Sequence, residues 1–404
     1  MKTVIGILLI TCFLELLCCA ETPLKLLPIE ESLFNLTVNL HRAKSHNDST
    51  ENLVFSPLGF NLLLGQISAG ANPVLKEAIG KFLGWEEAKL TDIHEHHENL
   101  LQSYNTPKDD KDTLKIHINS ALFYRDNIKI FKEFEELLEK YYKSVLISLP
   151  EKATEAENQQ IVNLWVQNAT EDLIKDFPIT PNTISLFANV VYFTAEWIEP
   201  FSDQLTRTGQ FFTSPKSTIN ATYLMGQQEI FYMENRDLDF KMIRLPYNST
   251  KYNISMYILS PQKHNLEDIV AGMTLDTFLG YKSAMTMKTV NIKMPKLSLK
   301  SKIHLKDTLS KLTENSSKLK GDRGNVFALN KMSNSSRTVL SDVVQESTFN
   351  VYEKGTTFAS LTAGYINYDG TARNCRVDKP YLAIILDEST NIVLFWTSIY
   401  QPTI

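Results

Sequence analysis

The stretch that decides the fold is Leu186–Phe193, which reads LFANVVYF. Only Asn189 among these residues is polar. An apolar run of this length, rich in β-branched and aromatic residues, is typical of a strand that neighbouring layers cover on both faces. We therefore predict a central sheet strand here.

Amphipathic helices are predicted mainly in the first half of the chain. Two apolar stripes have the spacing of a core-facing helix. Their residues are Phe60, Leu63, Leu64 and Ile67 in the first stripe and Phe131, Phe134, Leu138 and Tyr141 in the second. A third helix is predicted over Ile161–Ile174, with Trp165 buried on one side.

Strand patterns occur between and after these helices. Apolar and polar residues alternate over 114–118 and 290–294. A buried hairpin is predicted from Leu382–Leu386 and Ile392–Trp396, around Asp387–Asn391. Because helices and strands interleave without a regular βαβ order, the predicted fold class is α+β. No repeat or Gly/Pro/Ser-rich linker divides the chain, so we predict one domain although 404 residues favour two or three.

One late segment does not fit a compact core. Gly355–Asp378 is rich in Thr, Ala, Gly, Ser and Asn, with scattered large apolar residues. Loops without structure beyond about 12–15 residues are uncommon and are usually functional or disordered. We therefore expect the function to lie in this segment.

The N-terminus has the layout of a secretory signal peptide over residues 1–20. Lys2 supplies a positive charge, Val4–Leu17 is largely apolar, and Cys18–Ala20 offers small residues before a cleavage site. A membrane anchor is the weaker interpretation, because this apolar run is short for a bilayer. We predict a secreted, extracellular protein with no membrane segment, whose single domain covers residues 21–404.

Charge and cysteine content argue against several classes of function. The formal net charge is −5 and no basic stripe is present, so nucleic acid is not expected as a partner. Cys375 is the one cysteine that remains after cleavage, which excludes an intramolecular disulfide. We expect a solvent-facing or modified thiol there, with pairing between molecules as the alternative.

Eight N-x-S/T sequons indicate a glycosylated chain. A single sequon is weak support, but eight behind a signal peptide predict that some carry glycans. They begin at Asn35, Asn47, Asn168, Asn220, Asn248, Asn253, Asn315 and Asn334.

Three histidines and a glutamate cluster at residues 94–97. His94 and His97 are spaced i, i+3 on a predicted helix, which is compatible with a metal site, but no further ligands are specified. We interpret the cluster as a solvated polar face. No metal and no cofactor are predicted.

Five separate blocks, in order along the chain, resemble the serpin family. Ala188–Phe193 resembles the family's central strand. Trp197 resembles the family's tryptophan at the breach, the end of the sheet where an inserting loop first enters. The other blocks are Asn52–Leu58 with Ser68–Ala71, Asn163–Thr170, Met294–Leu297, and Asp378–Tyr381 with the C-terminal strands. The resemblance implies the serpin fold, in which helices surround a large mixed central sheet. It also implies an exposed reactive-centre loop over about residues 354–378.

The resemblance implies an inhibitor and not an enzyme. In this family a serine protease attacks the exposed loop and becomes joined to it as an acyl-enzyme. The cut loop then inserts as a sixth strand into a five-stranded sheet. A target serine protease is therefore the implied partner, and the inhibitor is expected to be a monomer. The sequence lacks G-x-S-x-G, H-E-x-x-H and paired-cysteine metal motifs.

The start of the loop matches the family in part. Glu353, Gly355 and Thr356 resemble the family's hinge. The family continues with small residues, whereas Phe358 precedes Ala359 here. In an inserted strand Phe358 would share a buried face with Thr356, and overpacking costs about 1–3 kcal/mol. An added barrier of about 1.4 kcal/mol slows insertion tenfold, so the protease has more time to escape.

The region that opens the sheet also departs from the family. The resemblance assigns Ser56, Asn189 and Gln345 to this region, and Gln345 stands where relatives usually have a histidine. Gly59 stands where relatives usually have a serine. Glutamine also forms hydrogen bonds, so the network can persist without its titratable member.

Loop length places the scissile bond at Asp369–Gly370, about sixteen residues beyond Glu353, the spacing that the resemblance implies. An aspartate there suits a protease with a basic primary pocket, or a caspase-like cysteine protease. Arg373 is the alternative and suits trypsin-like enzymes, but it lies four residues later. Two functions stay open: a suicide-substrate inhibitor of a serine-type endopeptidase, and a non-inhibitory serpin that acts as a carrier or partner-binding protein.

Overall fold

The computed structural model describes residues 29–45, 51–85, 88–105, 111–177, 179, 183–314, 326–333, 335, 338–356 and 372–403. Several sequence predictions lie outside the described residues. They are the signal peptide over 1–20, the loop residues Phe358, Ala359, Asp369 and Gly370, and the sequons at Asn47, Asn315 and Asn334. These stay predictions.

Nine α-helices lie within the described ranges. They are α1 Ile29–Ser45, α2 Pro57–Gly70, α3 Pro73–Leu83, α4 Leu90–Tyr104, α5 Lys132–Tyr142, α6 Glu155–Ala169, α7 Leu266–Ala271, α8 Leu275–Ala284 and α9 Lys306–Glu314. Side chains cap several N-termini: Ser56 Oγ accepts the Gly59 N–H, and Asn72 Oδ1 accepts the Leu75 N–H. No helix in these ranges has the length and apolar character that crossing a membrane requires.

Fifteen β-strands lie in the same ranges. They are β1 Leu53–Phe55, β2 Lys115–Arg125, β3 Val145–Leu149, β4 Ser185–Trp197, β5 Arg207–Ser214, β6 Ser217–Asn235, β7 Phe240–Asn248, β8 Ile254–Pro261, β9 Thr286–Pro295, β10 Leu297–His304, β11 Asp342–Val351, β12 Gly355–Thr356, β13 Arg373–Arg376, β14 Tyr381–Asp387 and β15 Val393–Ile399. Helices and strands interleave, which confirms the predicted α+β class.

Most predicted elements are found at their predicted positions. The central strand is β4, and the C-terminal hairpin forms β14 and β15. The stripe of α5 packs against the core through partly buried Tyr141, and the next residue, Tyr142, is buried as well. One detail is wrong: α6 ends at Ala169 instead of reaching Ile174. The helix stops there because Thr170 Oγ1 accepts the Ile174 N–H.

The central sheet has five strands in the order β3-β2-β4-β11-β10. Strand β4 lies in the middle, antiparallel to β2 and parallel to β11. The β4–β11 ladder joins residues 186–191 to residues 342–347. Parallel strands need a crossover, and here β5 to β10 lie between the two in sequence.

Strand β4 is apolar throughout because its two faces line two different cores. Residues of the larger core are Phe187, Val191, Phe193 and Ala195, and residues of the smaller core are Leu186, Ala188 and Val190. The smaller core lies under α6, whose Val162 and Val166 belong to it. The remaining strands form the ladders β5-β6-β9-β13 and β7-β8-β14-β15-β1, joined where β6 pairs with β7.

The predicted solvated face at His94 and His97 is wrong, because these side chains are 3% and 0% exposed. Tyr142 Oη bridges them, 2.6 Å from His94 Nδ1 and 3.1 Å from His97 Nδ1, and His97 Nε2 lies 2.5 Å from Asn61 Oδ1. With both rings neutral, His94 donates to Tyr142, Tyr142 to His97, and His97 to Asn61. Burial lowers the pKa of His94 to about 4 and holds the pKa of His97 well below 6.5.

These two histidines make the fold sensitive to acid. A free histidine has a pKa near 6.5. Below that pH the unfolded chain therefore binds protons at these two histidines, whereas the folded chain keeps both rings neutral. The contribution of the neutral histidines to the free energy of unfolding is fully present above pH 6.5. It declines as the pH falls from 6.5 toward 4. The loss is up to about 1.4 kcal/mol per pH unit for a histidine that stays neutral when folded. In thermal unfolding from pH 7.5 to pH 4.5, we expect a flatter stability profile for His94→Gln than for wild type.

The matched control is His264→Gln, which removes a half-buried histidine whose Nε2 lies 3.0 Å from the Phe212 carbonyl oxygen. This variant controls for the loss of a histidine ring outside the buried cluster, so a flattened profile confined to His94→Gln assigns the effect to the cluster. Parallel profiles for wild type and His94→Gln would contradict the role assigned to the buried cluster.

Candidate functional site

The predicted hinge forms a short strand of its own. Beyond β11, Tyr352 and Gly355 exchange backbone hydrogen bonds of 2.8 and 3.2 Å, so the chain reverses at Glu353 and Lys354. The next two residues form β12, in which Gly355 lies opposite Glu196 and Thr356 opposite Ala195. This pairing is antiparallel to β4. The hinge therefore begins a strand beside the open end of β4.

Gly355 is required by this close approach. Its φ of +155° is one that other residues rarely adopt. A Cβ atom at this position would lie 2.1 Å from the Ala195 carbonyl oxygen and 2.6 Å from Glu196 Cα. Any side chain here would push β12 away from β4.

Thr356 and Trp197 anchor the hinge to the core. Thr356 is 2% exposed, and its Oγ1 lies 3.0 Å from Tyr247 Oη. The Tyr247 ring stacks on Trp197 with 4.5 Å between centroids, and Trp197 Nε1 donates to the Tyr352 carbonyl at 3.1 Å. The predicted breach tryptophan thus contacts the hinge turn directly.

An ion pair holds the turn. Glu353 accepts from Lys296 Nζ at 2.9 and 3.1 Å and from Thr206 Oγ1 at 2.8 Å, and its carbonyl accepts the Phe201 N–H. Burial alone would raise the pKa of Glu353. The Lys296 ammonium and the Thr206 hydroxyl outweigh burial and leave this pKa below its ordinary 4.5.

The predicted sheet-opening residues form a second, separate cluster. Gln345 Oε1 accepts the Ser56 N–H at 2.7 Å, and Gln345 Nε2 donates to the Ser56 carbonyl at 3.0 Å and to Asn189 Oδ1 at 3.1 Å. Asn189 Nδ2 donates onward to Ser120 Oγ. The Gln345 amide therefore connects Ser56, at the N-terminus of α2, to Asn189 of β4. This cluster lies eight residues along β4 from Trp197, about 26 Å away.

Between the two clusters, the pairing of β4 with β11 ends and its pairing with β12 begins. The β4–β11 ladder ends at Val191, and β12 begins opposite Ala195. Residues 192–194 of β4 fall between these two paired segments. The two strands are thus joined at one end and separated at the other.

Three contact residues of the hinge were missed by sequence reasoning: Thr206, Tyr247 and Lys296. Each is distant in sequence from residue 353 or 356, so no local pattern could identify it. Lys296 lies within the Met294–Leu297 block, where its charge is the only hint that it pairs with Glu353.

Two other predictions concern surface chemistry. The expectation that Cys375 faces solvent is wrong: the thiol is 1% exposed, and burial raises its pKa to about 12. It lies opposite Ile292 in the β13–β9 ladder. Five sequon asparagines lie in the described ranges and all are exposed; they are Asn35, Asn168, Asn220, Asn248 and Asn253.

Comparisons with known proteins agree with this geometry. The family model described as Serpin (serine protease inhibitor) matches residues 31–402. Serpin A3-7 of Bos taurus is 25% identical over 377 residues, which cover 91% of this chain and 87% of that protein.

Two solved structures share the fold. Human thyroxine-binding globulin in complex with thyroxine has a TM-score of 0.82 at 21% identity, and the match covers 93% of this chain and 99% of that one. Mouse protein-Z dependent protease inhibitor has a TM-score of 0.80 at 19% identity, and the match covers 93% and 97%. These matches confirm the predicted fold of helices around a large mixed sheet. The chain belongs to the serpin family.

Proposed function

We propose that this protein is a secreted, glycosylated serpin that traps a serine-type endopeptidase by inserting its cleaved loop into the central sheet. One observation carries the proposal, the two-residue strand β12. Gly355 and Thr356 already pair with β4 in the antiparallel direction that an inserted strand takes. Residues 192–194 of β4 continue that path toward the β4–β11 ladder.

The register of β12 defines what insertion requires. Thr356 lies opposite Ala195, so a strand continuing in this register places Phe358 opposite Phe193 and Thr362 opposite Asn189. Ser360 would come opposite Val191, which now pairs with Ser347 of β11. Insertion therefore breaks no β4–β11 pair until Ser360 enters.

Phe358 is the first obstacle on this path. Directly opposite residues share a face of the sheet, so Phe358 would face the larger core beside Phe193. The Phe193 ring already contacts Tyr247 at 5.2 Å and Phe395 at 5.9 Å between centroids. A second phenyl ring there overfills a packed site, at a cost of about 1–3 kcal/mol. Inhibition then requires that loop insertion be faster than deacylation, which releases the protease, and the added cost brings the two rates closer together.

We assign the bait bond to Asp369–Gly370 from its spacing relative to Glu353. The alternative Arg373 is the first residue of β13 and pairs with Val290 of β9. A residue in a strand ladder enters a protease cleft less easily than one in a free loop. The proposed partner is a serine protease with a basic primary pocket, and the inhibitor acts as a monomer without catalysis or cofactor of its own.

A second candidate is a non-inhibitory serpin that carries a small molecule. A cavity of about 690 Å³ lies between α2, α3 and α4, lined by the apolar Trp85, Leu90 and Ile93 and by Lys76 and Lys331. This volume is in the range of small-molecule sites. One protein of similar fold, thyroxine-binding globulin, was determined with thyroxine. Slow insertion caused by Phe358 would also favour this candidate.

A protease panel separates the two candidates. We expect a protease with a basic primary pocket to form a covalent complex that survives denaturing electrophoresis, because acylation is followed by insertion. Asp369→Ala should lower complex formation at least tenfold, whereas the matched variant Arg373→Ala should leave it unchanged. Clean cleavage by every protease, without a complex, would exclude the inhibitor and favour the carrier.

Phe358→Ala should raise the ratio of complex to cleaved inhibitor. Removing the overpacked ring lowers the insertion barrier, and about 1.4 kcal/mol corresponds to a tenfold change. The ratio is measured by densitometry after incubation with the same protease. Leu361→Ala is the control, because alternation places residue 361 on the opposite face from 358. If both variants behave as wild type, Phe358 is no obstacle.

Gly355→Ala should abolish trapping but not cleavage. Its Cβ would lie 2.1 Å from the Ala195 carbonyl oxygen, so β12 cannot seat beside β4. We expect the cleaved variant to lack the rise in melting temperature that insertion gives the cleaved wild type. Lys354→Ala, one residue earlier in the turn, is the control and should retain that rise.

A further inference from the structure

We propose that the cavity between α2, α3 and α4 binds an organic anion, whose apolar body enters the cavity and whose carboxylate or sulfonate lies at Lys76 and Lys331. This inference names the ligand class for the second candidate function, and it rests on the cavity described there. The lining includes neither the hinge nor the loop, so the site does not depend on strand insertion.

The cavity has an apolar inner end and an exposed mouth. Its volume of about 690 Å³ is large enough for a small organic molecule. Trp85, Ile93 and Ala71 line it and are buried, whereas Lys76 and Lys331 line it and are exposed. A molecule with one apolar end and one charged end would therefore place the apolar end inside and the charged end at the mouth.

The charge at the mouth is positive. In the described part of the chain, neither Lys76 nor Lys331 forms an ion pair with an acidic side chain. Glu77 is the one acidic residue of the described lining, and Lys81 Nζ lies 2.7 Å from its Oε1. That pair balances the charge of Glu77 and leaves the charges of the two lining lysines uncompensated. A cleft lined by charge of one sign concentrates ligands of the opposite sign.

The indole of Trp85 is a second, independent indication of a ligand. This side chain is 7% exposed, and its ring packs on His97 with 5.6 Å between centroids. Its Nε1–H has no hydrogen-bond acceptor among the residues whose structure is described. A buried tryptophan N–H normally has a partner. Because Trp85 lines the cavity, an oxygen of a bound molecule would supply this acceptor.

Backbone hydrogen bonds fix the two lysines in place before any ligand binds. The Lys331 N–H donates to the Gly70 carbonyl at 3.0 Å, and the Asn72 N–H donates to the Ala328 carbonyl at 3.1 Å. These bonds hold the segment of Lys331 beside the start of α3, and Lys76 lies in the first turn of that helix. A preformed site lowers the cost of ordering that binding would otherwise carry.

A fluorescence titration of the uncleaved protein tests the site. The probe is anilinonaphthalenesulfonate, a dye with a sulfonate on an apolar aromatic body. We expect wild type to bind one dye molecule saturably. The double variant Lys76→Gln/Lys331→Gln should bind it about tenfold more weakly or worse, because both charged donors are lost. Trp85→Phe keeps an aromatic ring but removes the N–H, so affinity should fall about fivefold.

Two further variants make the titration specific for this cavity. Lys132→Gln is the matched control, because Lys132 is an exposed lysine of α5 outside the lining, and it should bind the dye as wild type does. Gly80→Phe adds a ring where the backbone of α3 lines the cavity, so it should abolish binding. An unchanged melting temperature shows that this variant is folded. If it is not folded, the lysine variants decide.

Competition between two amphiphiles tests the sign of the ligand charge. Dodecanoate and dodecylammonium have the same apolar chain and opposite charges. We expect dodecanoate to displace the dye from wild type at a concentration about tenfold lower than dodecylammonium does. In Lys76→Gln/Lys331→Gln this difference should disappear, because the charges that distinguish the two amphiphiles are gone.

Three results would overturn the proposal. They are equal dye affinity in wild type and the double lysine variant, equal displacement by the two amphiphiles from wild type, and no dye binding to wild type. The titration uses no protease and no cleavage, so these results leave the inhibitor hypothesis untouched. A protein that traps a protease and also binds the dye at these residues would be an inhibitor with a separate ligand site.

Discussion

The parallel ladder between β4 and β11 is the constraint on which the rest of the structure depends. It joins only residues 186–191 to 342–347, although β4 continues to Trp197. Beyond it, β11 continues to Val351 in its ladder with β10, and the chain then reverses at Glu353 and Lys354. Beyond the ladder, the chain places Gly355 and Thr356 of its own late segment against β4.

Helix α2 has to serve two polar clusters at once. It is buried along nearly its whole length, so every polar group that meets it needs a partner from the protein. On the sheet side, Gly59 admits the Gln345 amide. On the other side, Gly65 admits His97 and Tyr142, whose nearest atoms would lie 2.6 Å from a Cβ there. The two glycines let α2 approach the sheet on one side and the buried histidines on the other. At each glycine the space that a side chain would need is occupied by a polar group of a neighbouring element.

The sequence predicts those elements whose pattern lies within a short stretch of neighbouring residues. Strand β4 and the C-terminal hairpin have strong patterns of their own, and the predictions at these places are confirmed. The hinge at Gly355 stays a prediction. The buried histidines were misjudged because charged residues surround them in sequence, although His97 continues an apolar stripe from Ile93 at i+4. Cys375 was misjudged because β13 has only four residues, too few to show which face is buried.

Contacts between distant residues lie beyond any such pattern. The ion pair of Lys296 with Glu353 spans 57 positions, and the bond from Gln345 to Ser56 spans 289. Nothing in the sequence links Gly59 with Gln345. In three dimensions they are in close contact, because a Cβ at residue 59 would lie 2.4 Å from Gln345 Nε2.

The turn at Glu353 also determines where Phe358 and Gln345 act on the proposed path. Its ion pair and the Trp197 bond to Tyr352 hold β12 in one register, and that register decides which loop residues face the core. Phe358 would meet Phe193 before any pair of the β4–β11 ladder opens. Residue 362 would meet the hydrogen bond between Gln345 and Asn189 four residues later, about 13 Å further along β4. Packing therefore opposes the first stage of insertion, and hydrogen bonding opposes the second. The loop therefore inserts only if the free energy gained from new strand pairs exceeds first the packing cost at Phe358 and then the cost of breaking the hydrogen bond between Gln345 and Asn189.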